Sequence, residues 1–156
     1  MGDEKKIALA RSVYERMCAA LDANNWSYDK DEENLAVHFG LSGEDVPMRF
    51  ILYVDAARQL LRLTSPLPFK MNEDKRLDGA IATVAASYGL VDGSFDYDIN
   101  DGMICFRMTV AYRDDQLSEE LFNYMIACSG AMVEEYNDRF LALNKGFIQV
   151  TDFIKR

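Results

Sequence analysis

Leu35-Ala36-Val37-His38-Phe39-Gly40-Leu41, then Met48-Arg49-Phe50-Ile51-Leu52-Tyr53-Val54, then Leu61-Arg62-Leu63-Thr64: in each of these runs the apolar residues return at every second position. Leu35, Val37, Phe39 and Leu41 share one side, as do Met48, Phe50, Leu52 and Val54, and then Leu61 and Leu63. Period two is the pattern of strands with one face in a core. The breaks Ser42-Gly43-Glu44-Asp45 and Asp55-Ala56-Ala57-Arg58 are short enough for hairpins. The stretch therefore predicts a three-stranded antiparallel meander, with a weaker extra strand over 26–30.

Outward from the meander the period changes. Upstream, Ile7, Ala10, Tyr14, Met17 and Leu21 recur at steps of three and four, predicting a helix over 3–24 that stops at Asn24-Asn25. Downstream, Ser65-Pro66-Leu67-Pro68 is expected to end the sheet run, because proline has no N–H for a ladder. Asn72 is placed to cap a second helix, with Glu73 and Asp74 at its positive end and Gly89 closing it. Leu77, Ile81, Val84, Ala85 and Tyr88 form its apolar face, expected to lie on the sheet. Strands return with Phe95, Tyr97 and Ile99, turn at Asn100-Asp101-Gly102, and continue through Ile104, Phe106, Met108, Val110 and Tyr112. Ser118 then caps a long helix to about 143, with Leu117 and Phe122 as a hydrophobic staple, and a short amphipathic tail follows Lys145-Gly146. The order α-βββ-α-ββ-α predicts one α+β domain over 1–156, with a mostly antiparallel sheet and helices one and three on one face. Tyr14, Phe39, Phe50, Leu52, Leu63, Phe106, Met108, Met125 and Phe140 are its expected core.

Composition narrows function by exclusion. With 49% apolar residues in 156, the chain has enough core to fold without metal or disulfide staples. The net charge of −9 disfavours nucleic acid and anionic membrane surfaces as partners. Cys18, Cys105 and Cys128 are odd in number and lack C-x-x-C spacing. No apolar signal core follows the charged N-terminus, and no apolar run has the length of a membrane span. A cytoplasmic protein with three buried thiols is the expectation.

No motif assembles a catalytic, metal or cofactor site. His38 is the only histidine and has neither ligand-spaced partners nor a G-x-S-x-G elbow to serve. Asp96, Asp98 and Asn100 match the start of a calcium loop. The fit fails at Asp101, where glycine is needed, and at Arg107, where a bidentate glutamate is needed. Gly89, Gly93 and Gly102 follow a helix and precede a hairpin, the reverse of a dinucleotide fingerprint. The thiols have no basic neighbour in sequence. Glu119-Glu120 and Glu134-Glu135 diverge by about 100° around their helix, so neither pair makes a site. Small residues are more distinctive. Gly79, Ala82 and Ala86 flatten one side of helix two, and Ala127-Cys128-Ser129-Gly130-Ala131 lie midway along helix three. A mid-helix glycine costs about 0.5–1 kcal/mol against alanine, so close backbone approach is implied, within the chain or across a dimer.

Ser65-Pro66-Leu67-Pro68-Phe69, Asp78-Gly79-Ala80-Ile81 and Tyr88-Gly89-Leu90-Val91-Asp92-Gly93-Ser94-Phe95-Asp96 together resemble the YbjN-domain family, over about 21–144. These are small bacterial proteins described as regulators of sensory transduction. The resemblance implies a fold similar to type III secretion chaperones, α-βββ-α-ββ-α and often dimeric, and supplies no catalytic residues. The expectation is a non-enzymatic, homodimeric protein-binding module, chaperone-like or regulatory, with Gly79, Ala82 and Ala86 on the partner side. The alternative is a small-molecule-binding or enzymatic domain with a pocket between sheet and helices, lined by Trp26, Tyr53, Arg62 and Tyr97.

Overall fold

The computed structural model describes residues 2–44, 46–113 and 117–154. Met1, Asp45, Lys155 and Arg156, which belong to the expected N-terminus, first hairpin break and tail, lie outside them. Along the chain run α1 (Asp3–Ala23), β1 (Asp29–Asp31), β2 (Ala36–Leu41), β3 (Met48–Asp55), β4 (Leu60–Lys70), α2 (Arg76–Tyr88), β5 (Ser94–Asp98), β6 (Met103–Ala111), α3 (Glu119–Asn144) and the short α4 (Thr151–Ile154). The described strands form one antiparallel sheet in the order β1-β2-β3-β4-β6-β5. This is the expected α+β architecture. The extra strand appears as β1, starting three residues later and ending one residue later than 26–30.

The meander folds as its period dictates. Val37, Phe39, Phe50, Leu52, Leu61 and Leu63 are all under 10% exposed and face α1 and α3, which pack on β3, β4 and β6. All nine expected core residues are buried. Val13, Cys18 and Ala20 join them from α1, whereas Ile7 stays half exposed one turn inside its N-terminal end. Asn25, at φ 57°, makes the left-handed stop expected after α1. Ser118 accepts from Leu121 N at 3.2 Å, capping α3, with Leu117 and Phe122 both buried beside it. A Cβ on Gly130 would come within 3.2 Å of Leu41, so this glycine lets α3 approach β2 within the same chain.

Three local expectations are corrected. First, β4 does not stop at Ser65 but runs through both prolines to Lys70. Its pairing with β3 ends at Thr64, and its register with β6 slips between Pro66 and Lys70. Prolines are tolerated where a ladder is already interrupted, and the Ser65 hydroxyl satisfies Arg49 O at 2.6 Å across the widening gap. Second, Asn72 caps no helix. Residues Glu73–Lys75 form a 3-10 turn before α2, and Asn72 N instead donates to Asn144 Oδ1 at 2.7 Å, tying this corner to the end of α3. Third, Gly89 ends α2 with φ −93°, so it is not the left-handed cap expected of it.

Candidate docking surface and neighbouring cleft

α2 is an alanine-rich helix with two apolar faces, and the structure turns it opposite to the expectation. Gly79, Ala82, Thr83 and Ala86 are buried against β5. Leu77, Val84 and Tyr88 are 72%, 72% and 81% exposed, and Ile81 46%. Gly79, Ala82 and Ala86 are therefore not a partner surface but the side on which the helix meets its own sheet. The reason is steric. A Cβ on Gly79 would stand 2.7 Å from Tyr97 Oη and 2.8 Å from Met71 Cγ. Only a nearly flat side lets the helix lie this close.

Polar contacts fix that orientation. Tyr97 Oη donates to Arg76 O at 2.8 Å, while the buried Thr83 hydroxyl is satisfied within the helix by Gly79 O at 2.6 Å. Phe95 N donates to Ser87 Oγ at 2.9 Å. The last contact occupies a main-chain group on the outer edge of β5, so α2 also shields an edge that would otherwise template strand addition.

What α2 leaves outside is a stripe at steps of four, three and four: Leu77, Ile81, Val84, Tyr88. Ile154 extends it from α4, and the groove along it has a volume of about 560 Å³. Between Asp78 and Asp92 there are thirteen residues without a formal charge, in a chain that is 28% charged. From Ile81 to Tyr88 this is an exposed apolar strip on a helix stretch without formal charge, the kind of surface that marks an interaction site.

The residues expected to line one pocket do not converge. Trp26 packs on Phe39 at 5.6 Å between ring centroids, on the helix side of the sheet. Tyr53 and Arg62 are cross-strand partners on the opposite face, with the guanidinium 5.3 Å from the ring centroid. Tyr97 lies under α2 at the far strand. Alternation along β3 puts Tyr53 out of phase with the buried Phe50, Leu52 and Val54, which separates it from any helix-side cavity.

A cleft of about 480 Å³ lies elsewhere, between the end of α2, the 89–93 loop, α3 and α4. Its α3 wall carries Cys128, Met132, Glu135, Tyr136 and Arg139. Phe153 is shared between this cleft and the groove along α2. Nothing in composition or spacing pointed to it, because its walls come from three segments distant in sequence.

The family model described as "putative bacterial sensory transduction regulator", YbjN, matches residues 14–142. The chain belongs to the YbjN family. No curated protein matches it.

The remaining reactive groups of this YbjN chain are held in structural roles. Asp96 pairs with Arg107 at 2.7 Å, Asp98 accepts from Asn100 N at 2.9 Å, and Asp101 accepts from Met103 N at 2.9 Å and Lys70 Nζ at 2.7 Å. These carboxylates brace the β5–β6 hairpin rather than converge. Among the described residues, no group of three or more His, Cys, Asp or Glu is placed to hold a metal ion. His38 is exposed on the open face of the sheet. Only Cys18 is buried; Cys105 and Cys128 are half-buried, against the expectation of three buried thiols. Burial pushes all three thiols up, and the Asp92 charge adds to the effect at Cys128. None is thereby activated as a nucleophile. Tyr124 donates to Asp92, and that bond, with burial second, raises its phenol to about 12. Among the described residues, no helix is long and apolar enough to cross a membrane.

Proposed function

We propose that this YbjN-family chain is a non-enzymatic regulatory module, chaperone-like in working through protein contacts, and that its first partner is a second copy of itself docked along α2. One observation carries the reading: the exposed stripe Leu77, Ile81, Val84 and Tyr88 on a helix whose other side is already packed. Its four-three-four spacing is that of a helix–helix seam. A two-fold axis across it sets α2 antiparallel to its mate, each stripe covering the other, as closed homodimers require.

Charge favours a second copy over a basic partner. A surface complementary to a cationic peptide would place carboxylates along the apolar residues, and from Ile81 to Tyr88 the helix carries none, Asp78 lying only at its start beside Leu77. The same gap is where two chains of charge −9 can approach without stacking like charges. Supporting the non-enzymatic part are the raised thiols and the dispersal of the candidate pocket residues.

Light scattering tests the reading. The wild-type chain should have the mass of a dimer, and Val84→Arg, on the exposed stripe, should be a folded monomer by circular dichroism. A wild-type monomer, or a Val84→Arg dimer, would refute the docking of two copies along α2.

A further inference from the structure

The geometry points to a second binding site: the cleft between the 89–93 loop, α3 and α4 takes a small carboxylate with an aliphatic body, its anionic end on Arg139. The site borders the groove along α2, with which it shares Phe153, but Arg139 itself is not part of that groove.

Arg139 is the observation from which this follows. Its guanidinium lies 4.6 Å from the Phe153 ring centroid and 5.2 Å from that of Tyr136. Nη2 donates to Asp152 O at 3.2 Å. Two rings and a main-chain carbonyl thus hold the group in place before any ligand arrives. Yet among the described residues it forms no ion pair, although the chain has 26 acidic residues for 17 basic ones. The acids that line the cleft, and Asp152 of α4, are otherwise disposed. The Asp152 carboxylate accepts from Gln149 N at 2.7 Å, Asp92 accepts from Tyr124, and Glu135, one turn back on α3, is exposed and makes no salt bridge with it. A guanidinium carries five N–H donors in one plane and matches a carboxylate bidentately. Held over two aromatic rings, it loses little freedom on engaging one.

The rest of the cleft sets the body of the ligand. From Arg139 the wall runs past Met132, Leu90 and Val91, apolar side chains, to the half-buried Cys128, with Glu135 and Asp92 also lining the cleft. A volume near 480 Å³ is in the range of small-molecule sites. Methionine adapts to an irregular aliphatic shape. An anion without an apolar body would gain only the arginine contact, and an apolar molecule without the anion would leave that guanidinium unpaired.

The probes are 4-methylpentanoate and its neutral amide, titrated into the full chain and followed by amide chemical shifts. The carboxylate should shift Leu90, Val91, Arg139 and Phe153 saturably, and bind at least tenfold more tightly than the amide. Arg139→Gln should bring the carboxylate down to the affinity of the amide. Equal binding of the two probes, no saturable shift at these residues, or full discrimination retained in Arg139→Gln would each overturn the assignment. If Arg139→Gln fails to fold, the acid-against-amide comparison on the wild-type chain decides alone.

Discussion

Phe106 has no exposed surface and meets Phe95 edge-on at 5.2 Å, at the centre of the layer shared by sheet and α3. Removing its ring leaves a cavity among side chains that cannot collapse. Phe106→Ala should therefore cost about 3–5 kcal/mol in urea denaturation, and an unchanged midpoint would mean that β6 is in the wrong phase. Tyr14 makes a different prediction. Burial, chiefly, raises its phenol to about 12 from the ordinary 10. Below pH 10 the proton is bound in both states and contributes no pH dependence. Between 10 and 12 the unfolded chain releases it while the folded chain holds it, so stability should fall as pH rises through that window. Urea midpoints at pH 8, 10 and 11 should decline, and Tyr14→Phe should make the decline shallower, the remainder belonging to Tyr28, Tyr97, Tyr112 and Tyr124, whose phenols are also raised. At this scale the sequence was a good guide to large apolar residues, since alternation alone put Phe39, Phe50 and Phe106 inside. It was a poor guide to the thiols, because Cys105 faces the open side of the sheet, and side-chain type does not reveal facing.

Elements read from period two were sound, as was the helix α1 read from its apolar stripe; the strand end read from proline and the facing read from the amphipathicity of α2 were not. β4 passes through Pro66 because the ladder with β3 has already ended there, a property of register and not of the residue itself. α2 failed for another reason. Both its faces are apolar, one small and one large, so periodicity finds the helix but cannot say which face is inner; that was decided by Tyr97 and Met71 leaving no room for a side chain at position 79. Gly79→Ala separates the two orientations. On an outward face the substitution would stabilise by up to about 1 kcal/mol through helix propensity. Against Tyr97, which is tied to Arg76 O, and the buried Met71, it overpacks the contact at a cost of about 1–3 kcal/mol. The second term wins, and the variant should melt below the wild type.

For the whole molecule, the decisive quantities are a net charge of −9 and one strip of helix without charge. Two copies repel at long range, and that repulsion reaches about 30 Å in 0.01 M salt but only about 8 Å at 0.15 M. The contact itself, if made by Leu77, Ile81, Val84 and Tyr88, is apolar and little affected by simple salt over this range. Adding sodium chloride should then remove the opposing term and leave the favourable one, so that dimerisation tightens. An interface held by ion pairs would weaken instead, since screening acts on attraction as well as on repulsion. Analytical ultracentrifugation at 0.01, 0.05 and 0.15 M salt reads the sign directly. A dissociation constant that falls with salt fits the stripe, and one that rises would place the contact on a charged surface, away from α2.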